Sequence, residues 1–71
     1  MDNFNNEPLE NDFPNIGQPA TRALITAGYY KLDQLTKVTE AEILKLHGVG
    51  PKAVRILNAA LQEKQLSFAG K

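Results

Sequence analysis

The chain has no cysteine and no tryptophan in its 71 residues. Without cysteine there is no disulfide staple, no thiolate zinc site and no cysteine nucleophile. Small secreted domains generally rely on such staples, so their absence points to a reducing compartment and a cytoplasmic protein. Long apolar runs are also missing. Nothing approaches the roughly 18 residues of a membrane span, and no basic-then-apolar leader opens the chain, so no membrane partner is expected. The one histidine, His47, has no second histidine or cysteine with which to build a metal site and reads as a polar turn residue.

Catalytic equipment is equally thin. No nucleophile stands beside a base, no pair of carboxylates converges in patterned sequence, and no phosphate loop ends in Lys-Ser/Thr. A chain of this length forms one small domain, without room for a second lobe and a deep cleft. The expectation is a binding module, not an enzyme, with no cofactor and no small-molecule substrate.

Eight basic residues balance eight acidic ones, and a net charge of zero taken alone argues against a nucleic-acid partner. The distribution argues the other way. Residues 1–12 hold Asp2, Glu7, Glu10 and Asp12 and no basic residue; the remainder holds all eight basic residues against four acidic ones, a net +4. The opening segment is polar, rich in Asn and without period. It reads as a disordered acidic arm over 1–12, with the folded domain over 13–71. Two roles stay open for the arm: shallow competition with phosphates for the basic surface, or solubility alone.

The remaining pattern is helical. Apolar Ala20, Ala23, Leu24 and Ala27 follow Pro19 at i, i+3, i+4, i+7 spacing, and Gly28 sits where such a helix stops. Of Tyr29 and Tyr30, one ring is expected to pack on the core. A helical turn over Leu32–Leu35 inserts two leucines. Thr39 and Glu42 spell a capping box, with Val38 and Ile43 at the hydrophobic-staple positions, predicting a helix over 40–46 that ends at His47-Gly48. Pro51 opens a last helix with apolar Ala53, Ile56, Leu57, Ala60 and Leu61, while Lys52, Arg55 and Asn58 face elsewhere. Leu66 and Phe68 are expected to fold back over one end of the core. No strand alternation occurs, so the fold class is all-α, a compact bundle of four or five short helices.

The chain also matches itself at an offset of 33 residues. Ile16 falls on Val49, Gly17 on Gly50, Ala20 on Ala53, Arg22 on Arg55, Leu24 on Leu57 and Ala27 on Ala60, while Asn15 stands opposite Gly48. The better-kept copy contains Leu46-His47-Gly48-Val49-Gly50-Pro51-Lys52-Ala53. Two glycines around an apolar residue permit backbone angles that side chains forbid, so the chain can reverse between helices in few residues. Val49 anchors the turn in the core and Ala53 lets the helices approach. Unpaired amides, the positive end of a helix dipole and Lys52 together make a ready anion site.

LHGVGPKAVRILNAAL resembles the helix-hairpin-helix family, and the span 13–61 is similar to its doubled form. That form is a SAM-like arrangement with a pseudo-two-fold repeat, found also in the C-terminal domain of the bacterial RNA polymerase alpha subunit. The resemblance implies a DNA-binding module that grips the phosphate backbone of double-stranded DNA largely without reading sequence. Gly48 and Gly50 match the hairpin glycines and Lys52 a basic position beside the phosphates; with Val49 and Arg55 they are expected on one strand, and the Ile16-Gly17 turn with Arg22 on the other. The chain departs from the polymerase pattern at Pro19, Arg22 and Ala53, where that domain has arginine, asparagine and serine. The alternative is a protein-interaction module of the same fold, docking on a transcription or repair partner. A monomer is expected.

Overall fold

The computed structural model describes residues 11–70. Over them the chain is all-α, with four helices and no strand: α1 (Gln18–Thr26), α2 (Leu32–Leu35), α3 (Glu40–Leu44) and α4 (Pro51–Glu63). Helices α2 and α3 pack on α4, and no helix among the described residues is long and apolar enough to cross a membrane.

The helix starts follow the local chemistry of the sequence. At α3 the Glu42 amide donates to Thr39 Oγ1 at 3.1 Å and the Thr39 amide donates to Glu42 Oε1 at 3.0 Å. This is the reciprocal capping box, with half-buried Val38 and buried Ile43 on either side. α3 ends at Leu44, two residues before the predicted end, because the chain then closes a four-residue turn in which the Val49 amide donates to the Leu46 carbonyl at 3.1 Å. At α2 one cap is long-range and had no signal in the pattern. The Leu32 amide donates to Asp12 Oδ1 at 2.8 Å, and the Asp12 amide donates to the Tyr30 carbonyl at 3.1 Å. The Gln34 carboxamide accepts from the amides of Tyr30 and Lys31 and donates to the Gly28 carbonyl at 3.0 Å. Asp12 is therefore tied to the α1–α2 connector. Residues 1–10, the rest of that arm, lie outside the described residues.

α1 and α4 end alike. After α1 the Tyr29 amide donates to the Leu24 carbonyl at 2.8 Å and the Gly28 amide to the Ile25 carbonyl at 2.9 Å, with Gly28 at φ +98°. After α4 the Leu66 amide donates to Leu61 at 2.8 Å and the Gln65 amide to Gln62 at 2.9 Å. Both are Schellman closures, but in the second the left-handed position is held by Gln65 at φ +63°. A side chain there costs roughly 1–2 kcal/mol, part of which glycine returns through its freer unfolded chain. Gln65→Gly should therefore gain roughly 0.5–1 kcal/mol and raise the melting temperature by about 2–8 °C. A thermal melt followed by circular dichroism reads this; a lower Tm for the glycine variant would contradict it.

The core is one cluster. Leu24 from α1, Leu35 from α2, Ile43 from α3, Leu57 and Leu61 from α4, and Phe68 from the tail are its largest fully buried side chains. Phe68 does return over the core, held by the Ala69 amide donating to the Val38 carbonyl at 2.8 Å, and Leu66 packs beside it half-buried. Tyr29 packs on the core and Tyr30 stays exposed. Three positions differ from the predicted stripes. Val54 is buried although it lies outside the predicted stripe, while Ile56 packs on the core half-buried. Ala27 is exposed because it caps α1 rather than continuing it. Asn58 is half-buried: its Nδ2 donates to Glu40 Oε2 at 3.3 Å, and its Oδ1 is buried without a partner among the described residues.

Candidate functional site

The 33-residue register survives in three dimensions. Ile16 and Val49, Ala20 and Ala53, and Leu24 and Leu57 are all buried, while Arg22 and Arg55 are both exposed. The first helical bonds also correspond, Thr21 amide to Gly17 carbonyl at 3.0 Å and Val54 amide to Gly50 carbonyl at 3.1 Å. The backbones of the two turns do not correspond. Gly17 has φ +94°, but its counterpart Gly50 has φ −114° and ψ 179°, an extended conformation open to any residue. In the second turn the left-handed residue is Gly48, at φ +100°. Of the two glycines that permit such angles, Gly48 adopts one forbidden to side chains and Gly50 does not.

Gly48 has a second constraint. A Cβ on it would lie 2.9 Å from the Pro19 carbonyl oxygen, so the α3–α4 turn is pressed against the start of α1. This contact brings two helix N-termini to the edges of one groove of about 420 Å³, lined by Asn15, Gly17, Gly48, Gly50, Lys52 and Ile56 among others. On the other side of Gly48 a second groove, about 620 Å³, runs between α1 and Leu46-His47 and includes Arg22. Among the described residues no carboxylate lines either groove.

The amides in the turn decide what the first groove can hold. Among the described residues the N–H groups of Gly48, Gly50, Lys52 and Ala53 have no hydrogen-bond partner. α4 has no side-chain cap and no acidic residue in its first turn. At α3, by contrast, Thr39 and Glu42 fill the helix start and Glu40 and Glu42 supply negative charge. The start of α1 is intermediate: it too lacks acid in its first turn, but the Gly17 amide is engaged by Asn15 Oδ1 at 3.3 Å.

Gly17, Gly48, Gly50 and Lys52 thus come together at one groove. Val49 does not join them, since its side chain is buried and its amide is committed to Leu46. Arg22 lines the second groove, and exposed Arg55 lines neither. Sequence reasoning passed over Asn15 and Pro19. The Asn-x-Gly spacing before a helix was the available signal for the first, whereas nothing local announces the contact of Pro19 with Gly48. Among the described residues no group of acidic, histidine or cysteine side chains could hold a metal ion. The chain matches no family model, no curated protein and no solved structure.

Proposed function

We propose that this domain binds the phosphate backbone of double-stranded DNA, largely without reading sequence, through a doubled helix-hairpin-helix arrangement. The observation that carries the reading is the start of α4. Four amides without a partner among the described residues, an uncapped helix terminus free of acid, and Lys52 stand together in a chain that caps α3 with its own side chains. Oriented amides and a helix dipole attract an anion, and Lys52 adds a full positive charge that can follow a phosphate. Because the Gly17 amide is already engaged, the second hairpin contributes more than the first. Binding of this kind places charges without reading base edges. It is a binding role and not a catalytic one.

With a net +4 over residues 13–71, the domain neutralises about two to four phosphates, so log Kd against log salt should have a slope magnitude of about 2–4. Lys52→Glu should weaken duplex binding about tenfold by turning an attraction into a repulsion. Its melting temperature should stay unchanged, because Lys52 is exposed. Fluorescence anisotropy with a short duplex over a range of ionic strengths tests both. A flat salt response, or wild-type binding by Lys52→Glu, would overturn the reading and favour docking on a protein.

A further inference from the structure

Three glycines stand at the two turns, and the fold accounts for two of them. Gly17 and Gly48 have φ of +94° and +100°, and a Cβ on Gly48 would also meet the Pro19 carbonyl. Gly50 is under neither constraint. Its backbone is extended at φ −114° and ψ 179°, and nothing lies within 4 Å of a Cβ built on it. It is the N-cap of α4, a position where serine, threonine, asparagine and aspartate close a helix start with a side-chain oxygen. The same chain uses that device at α3. There the N-cap Thr39 has φ −93° and ψ 162°, and its Oγ1 accepts from the Glu42 amide at 3.1 Å. The two N-cap backbones are both extended, so a hydroxyl side chain at position 50 can turn in front of the Lys52 and Ala53 amides and cap α4.

We infer that position 50 is glycine so that α4 does not cap itself: the missing side chain keeps the Lys52 and Ala53 amides open to a phosphate oxygen from outside. This rests on the DNA reading and adds to it the residue that decides which oxygen those amides meet. Gly50 lines the smaller groove together with Lys52, and neither amide has a partner among the described residues. A phosphate oxygen bound there stands in for the oxygen that Thr39 supplies at α3. The first turn shows the opposite choice, since Asn15 Oδ1 takes the Gly17 amide at 3.3 Å. A vacant cap lowers stability, because the first amides of α4 lack a side-chain acceptor and glycine loses more freedom on folding than serine does. Stability and binding therefore pull in opposite directions at this one residue.

Gly50→Ser separates the two. In the full-length chain its melting temperature should rise by about 2–8 °C, from the gained cap and the stiffer unfolded chain. Hydrogen exchange at the Lys52 or Ala53 amide should slow without DNA, which reads the new cap directly. Fluorescence anisotropy should show duplex binding weakened by about three- to tenfold, the loss of roughly one hydrogen bond. The salt slope should keep its wild-type value because no charge is removed, unlike that of Lys52→Glu. Gly50→Ala adds the Cβ without the oxygen and should weaken binding less than Gly50→Ser. A lower melting temperature or unslowed exchange in Gly50→Ser would mean that no cap forms and would overturn the inference. Wild-type affinity in the capped variant would overturn it as well, and so would equal weakening by alanine and serine. In each of these cases the DNA reading stands as long as the wild-type protein binds. A wild-type protein that binds no duplex removes the reading and the inference together.

Discussion

Gly48→Ala is expected to destabilise the domain by about 3 kcal/mol, combining left-handed strain with displacement of a packed neighbour. The melting temperature should fall by roughly 12–24 °C. At φ +100° an L side chain is strained wherever it points, and here its Cβ would meet the Pro19 carbonyl at 2.9 Å. That oxygen belongs to backbone in the first turn of α1 and cannot swing aside as a flexible side chain would. Gly50→Ala is the control. Its backbone is extended and nothing lies within 4 Å of an added Cβ, so only the weaker N-cap preference is lost, under about 1 kcal/mol. Equal melting temperatures for the two variants would mean that the turn does not press on α1 as described.

Phe68→Ala should have the larger effect. Removing a fully buried phenylalanine costs about 3–5 kcal/mol, comparable to the whole stability of a domain this size, about 3–5 kcal/mol. Phe68 is 1% exposed and lies against a core that contains most of the large apolar side chains of the chain. The variant is expected to lose its cooperative thermal transition and much of its helical circular dichroism at 25 °C. Tyr30→Ala, at a 45% exposed ring, should melt within a few degrees of wild type. A cooperative Phe68→Ala melt within 5 °C of wild type would show that the tail contributes little.

The core and the helix starts were legible because they are written locally. Thr39 and Glu42 declare a helix start within four residues, and the spacing of Ala20, Leu24, Leu57 and Leu61 declares a buried face. Polar groups acting across the sequence were not legible: Asp12 caps a helix twenty residues away, and Asn58 reaches Glu40 across eighteen. Val54 and Ile56 sit at opposite edges of the α4 stripe, and spacing alone does not decide that the first is fully buried and the second only half. At the candidate site the sequence marked the second turn, with Gly48, Gly50 and Lys52. It treated the two glycines alike because composition does not distinguish a residue that must be left-handed from one that is extended. The commitment of the Val49 amide to Leu46, and of the Gly17 amide to Asn15, likewise depends on turn geometry that spacing alone leaves open.

The repeat is faithful in the interior and unfaithful at its rim. Ile16, Ala20 and Leu24 mirror Val49, Ala53 and Leu57, yet the left-handed residue is the N-cap in one copy and stands two positions earlier in the other. A B-form duplex has a dyad of its own, and a receptor with a true dyad would hold it equally well in either of two orientations. Here one edge of the groove offers Gly48 and Gly50 amides without a partner among the described residues, beside Lys52, while the other offers Gly17 with its amide already engaged. A duplex lying across this groove would therefore be held with polarity, one strand gripped more firmly than its complement, and whatever is attached to this domain would face a fixed direction along the helix axis.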